Sequence, residues 1–194
     1  GPNTGGMGAY SPAPILDPEM QQRVMDTIVT PTILGMKSEG RAYRGVLFVG
    51  LMIDAKHGPR VVEYNCRFGD PECQVIMARL KDDPLAQLLA CAAGGLGDCK
   101  RLERFSDHAV TVVMAASGYP GEPKKGGVIG GLAEAGKVPG VTVFHAGTAR
   151  KGADIVASGG RVLNVTATAP TLREAVQRAY EAVDRIDWPD GFCR

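Results

Sequence analysis

Apolar and polar positions alternate along this chain in two different rhythms, and the change of rhythm divides it. Asp17-Pro18-Glu19 opens a helix with Met20, Val24 and Ile28 on one stripe. Pro31 breaks or restarts that helix, and its second segment is expected to end near Gly40. Residues 44–54, rich in Val, Leu, Phe and Ile, read as a strand, and residues 55–59 as a hairpin turn. Residues 60–67 return as the paired strand. Helices are expected over 71–81 and 84–93, the second stopped by Gly94-Gly95. A polar stretch over 98–107 then separates this part from short strands at 109–116, 141–146, 155–157 and 162–168. The chain closes with a helix whose capping box is Thr171-Leu172-Arg173-Glu174 and whose apolar face reads Leu172, Val176, Ala179, Val183 and Ile186. Residues 1–14, rich in Gly and Pro, read as loop.

Composition narrows the classes. Of 194 residues, 44% are hydrophobic and 22% charged, an ordinary globular balance. Net charge is +1 and aromatics are only 6%, so neither a basic footprint nor base stacking points to nucleic acid. The apolar runs are too short to span a bilayer, so no membrane partner is expected. Cys66, Cys73, Cys91, Cys99 and Cys193 form no C-x-x-C pair and lie far in sequence from the three histidines. That argues against a zinc site and fits scattered thiols in a reducing cytoplasm.

The chemistry concentrates between residues 61 and 72. Glu63, Asn65 and Arg67 are two apart, so in a strand they share one face. A carboxylate beside an amide oxygen suits Mg²⁺ (or Mn²⁺) held between protein and nucleotide phosphates. An arginine further along that face can neutralise a phosphoryl group in transit, or else pair with Asp70 or Glu72. Asp70 reads first as the N-cap of the next helix, with Pro71 as its first helical residue, and only second as a catalytic residue.

Elsewhere the candidates are turns. Pro2, Asn3, Thr4, Gly5, Gly6 and Met7 offer backbone N–H groups and glycines that permit close approach to a small polar substrate. Gly159, Gly160 and Arg161 read as a hairpin turn whose arginine can clamp a sugar phosphate, with Lys151 a weaker candidate on the preceding turn. A solvated turn arginine is the competing reading. Leu51 is a candidate for packing on adenine, although core packing is the default. His145 reads as structural, Lys124 and Lys125 as solvated charge, and Trp188 as packing for the last helix.

Three separated motifs together resemble one family: Gly1 to Tyr10, Glu63 to Glu72, and Val143 to Thr148 followed by Gly159 to Leu163. The family is phosphoribosylamine–glycine ligase, also called glycinamide ribonucleotide synthetase, an ATP-grasp enzyme of purine biosynthesis. The resemblance implies an α+β fold. Residues 1–103 would form the later half of an ATP-grasp domain, an antiparallel sheet with helices. Residues 104–194 would form a small C-terminal α/β domain with a short-stranded sheet and a closing helix.

It implies that ATP, glycine and 5-phosphoribosylamine are the substrates, that Glu63 and Asn65 ligate the metal, and that Glu63 and Leu51 border the nucleotide. It also implies contact of the 2–7 loop with glycine or phosphoribosylamine. The family's N-terminal portion has no counterpart here, so it is expected as the missing partner of a fragment that by itself is inactive. A cytoplasmic monomer or weak dimer is expected. The alternatives are a non-catalytic fragment, or an ATP-grasp ligase for another carboxylate–amine pair.

Overall fold

The computed structural model describes residues 4–54 and 56–194. Its chain divides into two packing units. One, the sheet unit, comprises Gly1–Ser11, Asp70–Leu80 and Arg104–Arg194; the other, the hairpin unit, comprises Pro12–Gly69 and Lys81–Glu103. The division therefore does not follow the sequence at 103/104, because the first residues and the segment after Gly69 pack with the C-terminal part.

The sheet unit is built on five antiparallel strands in the order β1 (Gly8–Ser11), β4 (His108–Ala116), β8 (Arg161–Ala169), β5 (Val141–His145), with β9 (Gly191–Phe192) also paired to β4. Strand β1 corrects the expectation that residues 1–14 are all loop: Gly8 to Ser11 pair with Val112 to Ala109. Val110, Val112 and Met114 of β4 join Leu163, Val165 and Ala167 of β8 in a core completed by Ala175, Ala179, Ala182 and Val183 of helix α6 (Leu172–Asp184). The alternate residues Thr111 and Val113 are also buried, and helix α3 (Glu72–Arg79) packs against β1, β4 and β8. A sheet buried by period-two alternation on both faces reads as a continuous apolar run, as residues 109–116 do.

The capping box of α6 is present, with Thr171 Oγ1 accepting from Glu174 N–H at 3.2 Å and Glu174 accepting from Thr171 N–H at 3.1 Å. Its buried face is rotated from the expected one. Alanines 175, 179 and 182 meet the sheet because small side chains let the helix approach closely, while Val176 stays 37% exposed. Trp188 packs in this core as expected. Lys124 is not simply solvated: its Nζ pairs with Asp190 at 2.6 Å. A short helix α5 (Leu132–Ala135) and a hairpin of β6 (Thr148–Lys151) and β7 (Asp154–Ala157) complete the unit.

The hairpin unit holds helix α1 (Pro18–Val24), a π-helical stretch over Met25–Val29, helix α2 (Thr30–Ser38), strands β2 (Phe48–Asp54) and β3 (Gly58–Asn65), and helix α4 (Leu85–Ala93). Asp17 caps α1 by accepting from Met20 N–H at 2.8 Å. Pro31 does not break the helix. The wide π turn just before it accommodates a residue that lacks an N–H and crowds the carbonyl four residues back. The β2–β3 turn begins with Asp54, whose carboxylate accepts from the Lys56 and His57 N–H groups at 2.9 and 2.7 Å; Ala55 lies outside the described residues. Helix α4 ends at Gly94, φ +86, as the glycine pair predicted.

Candidate functional site

Two constellations of polar groups emerge, one in each unit. In the hairpin unit, Glu63, Asn65 and Arg67 form a hydrogen-bonded row. Asn65 Nδ2 donates to Glu63 Oε1 at 3.0 Å, and Arg67 Nη2 donates to Asn65 Oδ1 at 3.3 Å. Arg67 Nη1 also donates to the Phe68 carbonyl at 2.7 Å. Glu63 and Asn65 share a face by strand alternation, as the spacing predicted, whereas Arg67 lies past the end of β3 and joins the row through its bond to Asn65.

A feature the spacing did not predict is a β-bulge. Gly50 pairs with Glu63 but Leu51 pairs with Val61, so Val62 is an extra residue immediately before Glu63. Bulges bend a strand and re-aim neighbouring side chains, and they are common beside active sites. A Cβ at Gly50 would lie 3.1 Å from the Glu63 Cγ, so a side chain there would press on Glu63. Leu51 sits half-buried on β2. Among the described residues no group of three or more His, Cys, Asp or Glu side chains could hold a metal ion. Glu63 and Asn65 are hard oxygen donors on a half-open surface. Such a pair fits a cation that keeps most of its ligands from water and phosphate.

In the sheet unit, Arg161 is the hub. Its Nη1 donates to the carbonyls of Gly6 (3.0 Å) and Asp70 (2.8 Å), and its Nη2 to Asp70 Oδ2 at 2.7 Å. Asp70 is therefore not the helix N-cap that the sequence suggested. The cap position of α3 belongs to Pro71, with no side-chain cap, and the Asp70 carboxylate is drawn instead to the guanidinium. The guanidinium adds a second full charge to the bond, which a backbone N–H at a cap does not supply. Burial, and secondly the Asp70 charge, push the neighbouring Cys73 thiol up from its ordinary range.

Arg161 is likewise no solvated turn residue. It opens β8, where a second bulge lies next to it: Met114 pairs with Leu163 but Ala115 with Arg161. The loop before β1 is held by the same sheet, since Val113 N–H donates to the Met7 carbonyl at 3.0 Å. Strand β1 is what brings Gly5 and Gly6 beside Arg161. Gly6 backs onto Pro71, where a Cβ would lie 2.6 Å from the ring. Pro2 and Asn3 lie outside the described residues.

Gly160 adjoins the hub, and its carbonyl accepts from Ala116 N–H at 2.8 Å. Lys151 does not adjoin it. That lysine ends β6, exposed, at the tip of the hairpin whose base is Gly147 and Gly159. His145 is exposed, its Nδ1 3.1 Å from Thr148 Oγ1.

Sequence reading missed Tyr119. Its hydroxyl accepts from Gly5 N–H at 3.0 Å, and its ring lies against Gly160. The available signal was an aromatic in Ser117-Gly118-Tyr119-Pro120-Gly121, a turn sequence in which a ring has no local use. It also missed Arg79, buried and bonded to the Asp107 and Phe105 carbonyls and Ser11 Oγ, with its pKa lowered chiefly by burial.

Two family models match the chain: the ATP-grasp (A) domain of phosphoribosylglycinamide synthetase over residues 1–73, and the C domain of the same enzyme over 109–194. The chain belongs to the phosphoribosylglycinamide synthetase family. It is 59% identical over 194 residues to phosphoribosylamine–glycine ligase of Mesorhizobium japonicum, covering all of this chain and 45% of that protein. The crystal structure of phosphoribosylamine–glycine ligase from Thermotoga maritima matches with a TM-score of 0.82 and 36% identity, over 100% of this chain and 46% of that one. The biotin carboxylase domain of Hydrogenobacter thermophilus 2-oxoglutarate carboxylase, solved with magnesium ADP, shares the fold at a TM-score of 0.63 and 19% identity, over 96% of this chain and 40% of that one. The expected α+β, ATP-grasp architecture is thus found. The chain spans less than half the length of these proteins.

Proposed function

We propose that this chain is the C-terminal portion of a ligase that joins glycine to 5-phosphoribosylamine, forming glycinamide ribonucleotide, ADP and phosphate in purine biosynthesis. ATP phosphorylates the glycine carboxylate, giving glycyl phosphate. The amine of phosphoribosylamine then attacks the acyl carbon and expels phosphate. The observation that carries the reading is the pair of family models of one enzyme, matched in order, together with the hydrogen-bonded row Glu63-Asn65-Arg67.

In this reading residues 1–103 belong to the ATP-grasp domain and 104–194 to the C-terminal domain. Glu63 and Asn65 hold Mg²⁺ or Mn²⁺, and the ion, when bound, neutralises phosphate charge on ATP. Glu63 and Leu51 border the nucleotide. Arg67 stabilises the transferring phosphoryl group, and its bonds to Asn65 and the Phe68 carbonyl hold the guanidinium still. Asp70 serves the reaction by holding Arg161.

Arg161, Gly160 and the 2–7 loop bind the acceptor substrates, with Lys151 an outlying contributor. The Arg161 Nε–H and one Nη2–H make no bond among the described residues, and that edge of the guanidinium suits two phosphate oxygens. The partner of this chain is the N-terminal portion of the same enzyme, in a cytoplasmic monomer or weak dimer. All five cysteines are free, which fits a reducing compartment. No helix among the described residues is long and apolar enough to cross a membrane.

The test is ADP release by the full-length polypeptide supplied with ATP, Mg²⁺, glycine, and phosphoribosylamine made in situ from ribose 5-phosphate and ammonia. Release should require both glycine and the phosphoribosyl amine. Glu63→Ala should lower it by about 100-fold or more, as losing an interaction made to the reacting phosphates does. Undiminished turnover in that variant would remove the metal assignment. Release with a different carboxylate or amine, and not with these, would transfer the chain to another ATP-grasp reaction.

A further inference from the structure

The hub around Arg161 contains a donor that nothing so far uses. Tyr119 reaches across both glycine turns. Its ring sits on Gly160, where a Cβ would lie 2.4 Å from Cδ2, and its hydroxyl meets Gly5. The space above Gly5 is closely bounded. A Cβ built there would be 3.1 Å from the Tyr119 hydroxyl, 3.2 Å from Arg161 Cζ and 3.3 Å from Arg161 Nε. Phenol oxygen and guanidinium therefore flank a single point, and any residue larger than glycine would fill the gap between them.

The hydrogen-bond roles give this geometry its chemistry. The Tyr119 oxygen accepts the Gly5 N–H, so its own O–H proton is directed elsewhere, and it meets no acceptor among the described residues. Arg161 uses three of its five N–H groups on Gly6 and Asp70. Its remaining Nε–H and Nη2–H share one edge, and Cζ and Nε are the guanidinium atoms nearest the point above Gly5. The phenol oxygen and the cation thus border one point, with two N–H groups of the cation unused, and among the described residues no carboxylate but Asp70 is bonded to the hub. Asp70 occupies the opposite edge of the guanidinium. That set matches a tetrahedral phosphate monoester better than a lone carboxylate, which the arginine edge alone would saturate.

We propose that Tyr119 is a substrate-binding residue of this ligase, its hydroxyl donating to the phosphate of the phosphoribosyl substrate beside the Arg161 Nε–Nη2 edge. The proposal rests on the substrate reading given above. It assigns Tyr119 discrimination for the phosphorylated sugar and no part in ATP or glycine binding.

The test uses the full-length enzyme and the variant Tyr119→Phe, which keeps the ring on Gly160 and removes the hydroxyl. Calorimetry measures ribose 5-phosphate and ribose as binding probes, and initial rates give KM for each substrate. The KM for phosphoribosylamine and the dissociation constant for ribose 5-phosphate should rise about tenfold or more, the scale of a lost bond to a charged group. The kcat, the KM values for ATP and glycine, and the binding of ribose should stay within about twofold. Unchanged ribose 5-phosphate affinity would overturn the proposal. An equal loss for glycine would also overturn it, leaving Tyr119 as a brace for the loop. Wild-type enzyme that neither binds ribose 5-phosphate nor uses phosphoribosylamine would instead refute the substrate reading, and the phosphate role would fall with it.

Discussion

The sheet unit and the hairpin unit draw on similar residues yet bury them very differently. In the sheet unit Leu163, Val165, Val113 and Ala179 are fully buried. In the hairpin unit only Val24 and Ile28 are buried apolar residues among those described, while Leu34, Met52, Val62, Leu85 and Leu89 are each more than half exposed. The difference is geometric. Five paired strands with helices against them can close a core, whereas a two-stranded hairpin with helices α2 and α4, neither of which has a buried residue, cannot. Local sequence signals are equally good in both units. The Asp17 cap and the helix stop at Gly94 are both correct in the hairpin unit, so local quality and core formation are separate properties of a sequence.

The largest expected effect tests this contrast directly. Leu163→Ala should destabilise the chain by about 2–5 kcal/mol. Leu89→Ala, on an exposed face, should change it by less than about 0.5 kcal/mol. Urea melts followed by circular dichroism compare them, and a Leu89 cost near that of Leu163 would mean that the α4 face is covered in solution.

Capping offers a finer comparison. Thr171→Ala removes a reciprocal box on a helix seated against the sheet and should cost about 1 kcal/mol. A Thr171→Ala melt indistinguishable from wild type would show that packing alone holds α6.

The smallest effect lies at the β2–β3 turn. The His57 backbone N–H, followed by the Lys56 N–H and the His57 and Arg60 side chains, lowers the Asp54 pKa against a smaller opposing desolvation. A carboxyl with a lowered folded pKa favours the folded turn above its unfolded value, about 3.9. That support disappears as pH falls through the lower folded value. The protection of the Lys56 and His57 amides, relative to their intrinsic exchange rates, should therefore fall on acidification below about pH 4 in the wild type, and Asp54→Asn should flatten that dependence. An identical pH profile in the variant would reject the assignment.

How much of the site could be read in the sequence depends on range. The pair Glu63 and Asn65 was legible because strand alternation is local, and Arg67 follows within two residues of the strand's end. The role of Asp70 was not, since its nearest local use was a helix cap and its actual partner lies 91 residues later. Tyr119 escaped for the same reason: its bond to Gly5 spans 114 residues. The two bulges, beside Glu63 and beside Arg161, leave no mark in either strand alone, because a bulge is a mismatch of register between two strands.

The sequence by itself determined the helix starts at Asp17 and Thr171, the helix stop at Gly94, the buried strands at 109–116 and 162–168, and the motifs that identify the family. Each depends on a repeat or a spacing of a few residues, where backbone geometry alone fixes which side chains share a face. Tertiary structure decided that Gly8–Ser11 would join the sheet of β4 and β8 as an edge strand. It thereby decided which loop meets Arg161, which carboxylate holds that arginine, and which tyrosine stands beside it. Those choices depend on strand order and register across more than 100 residues, and only the folded sheet contains that information.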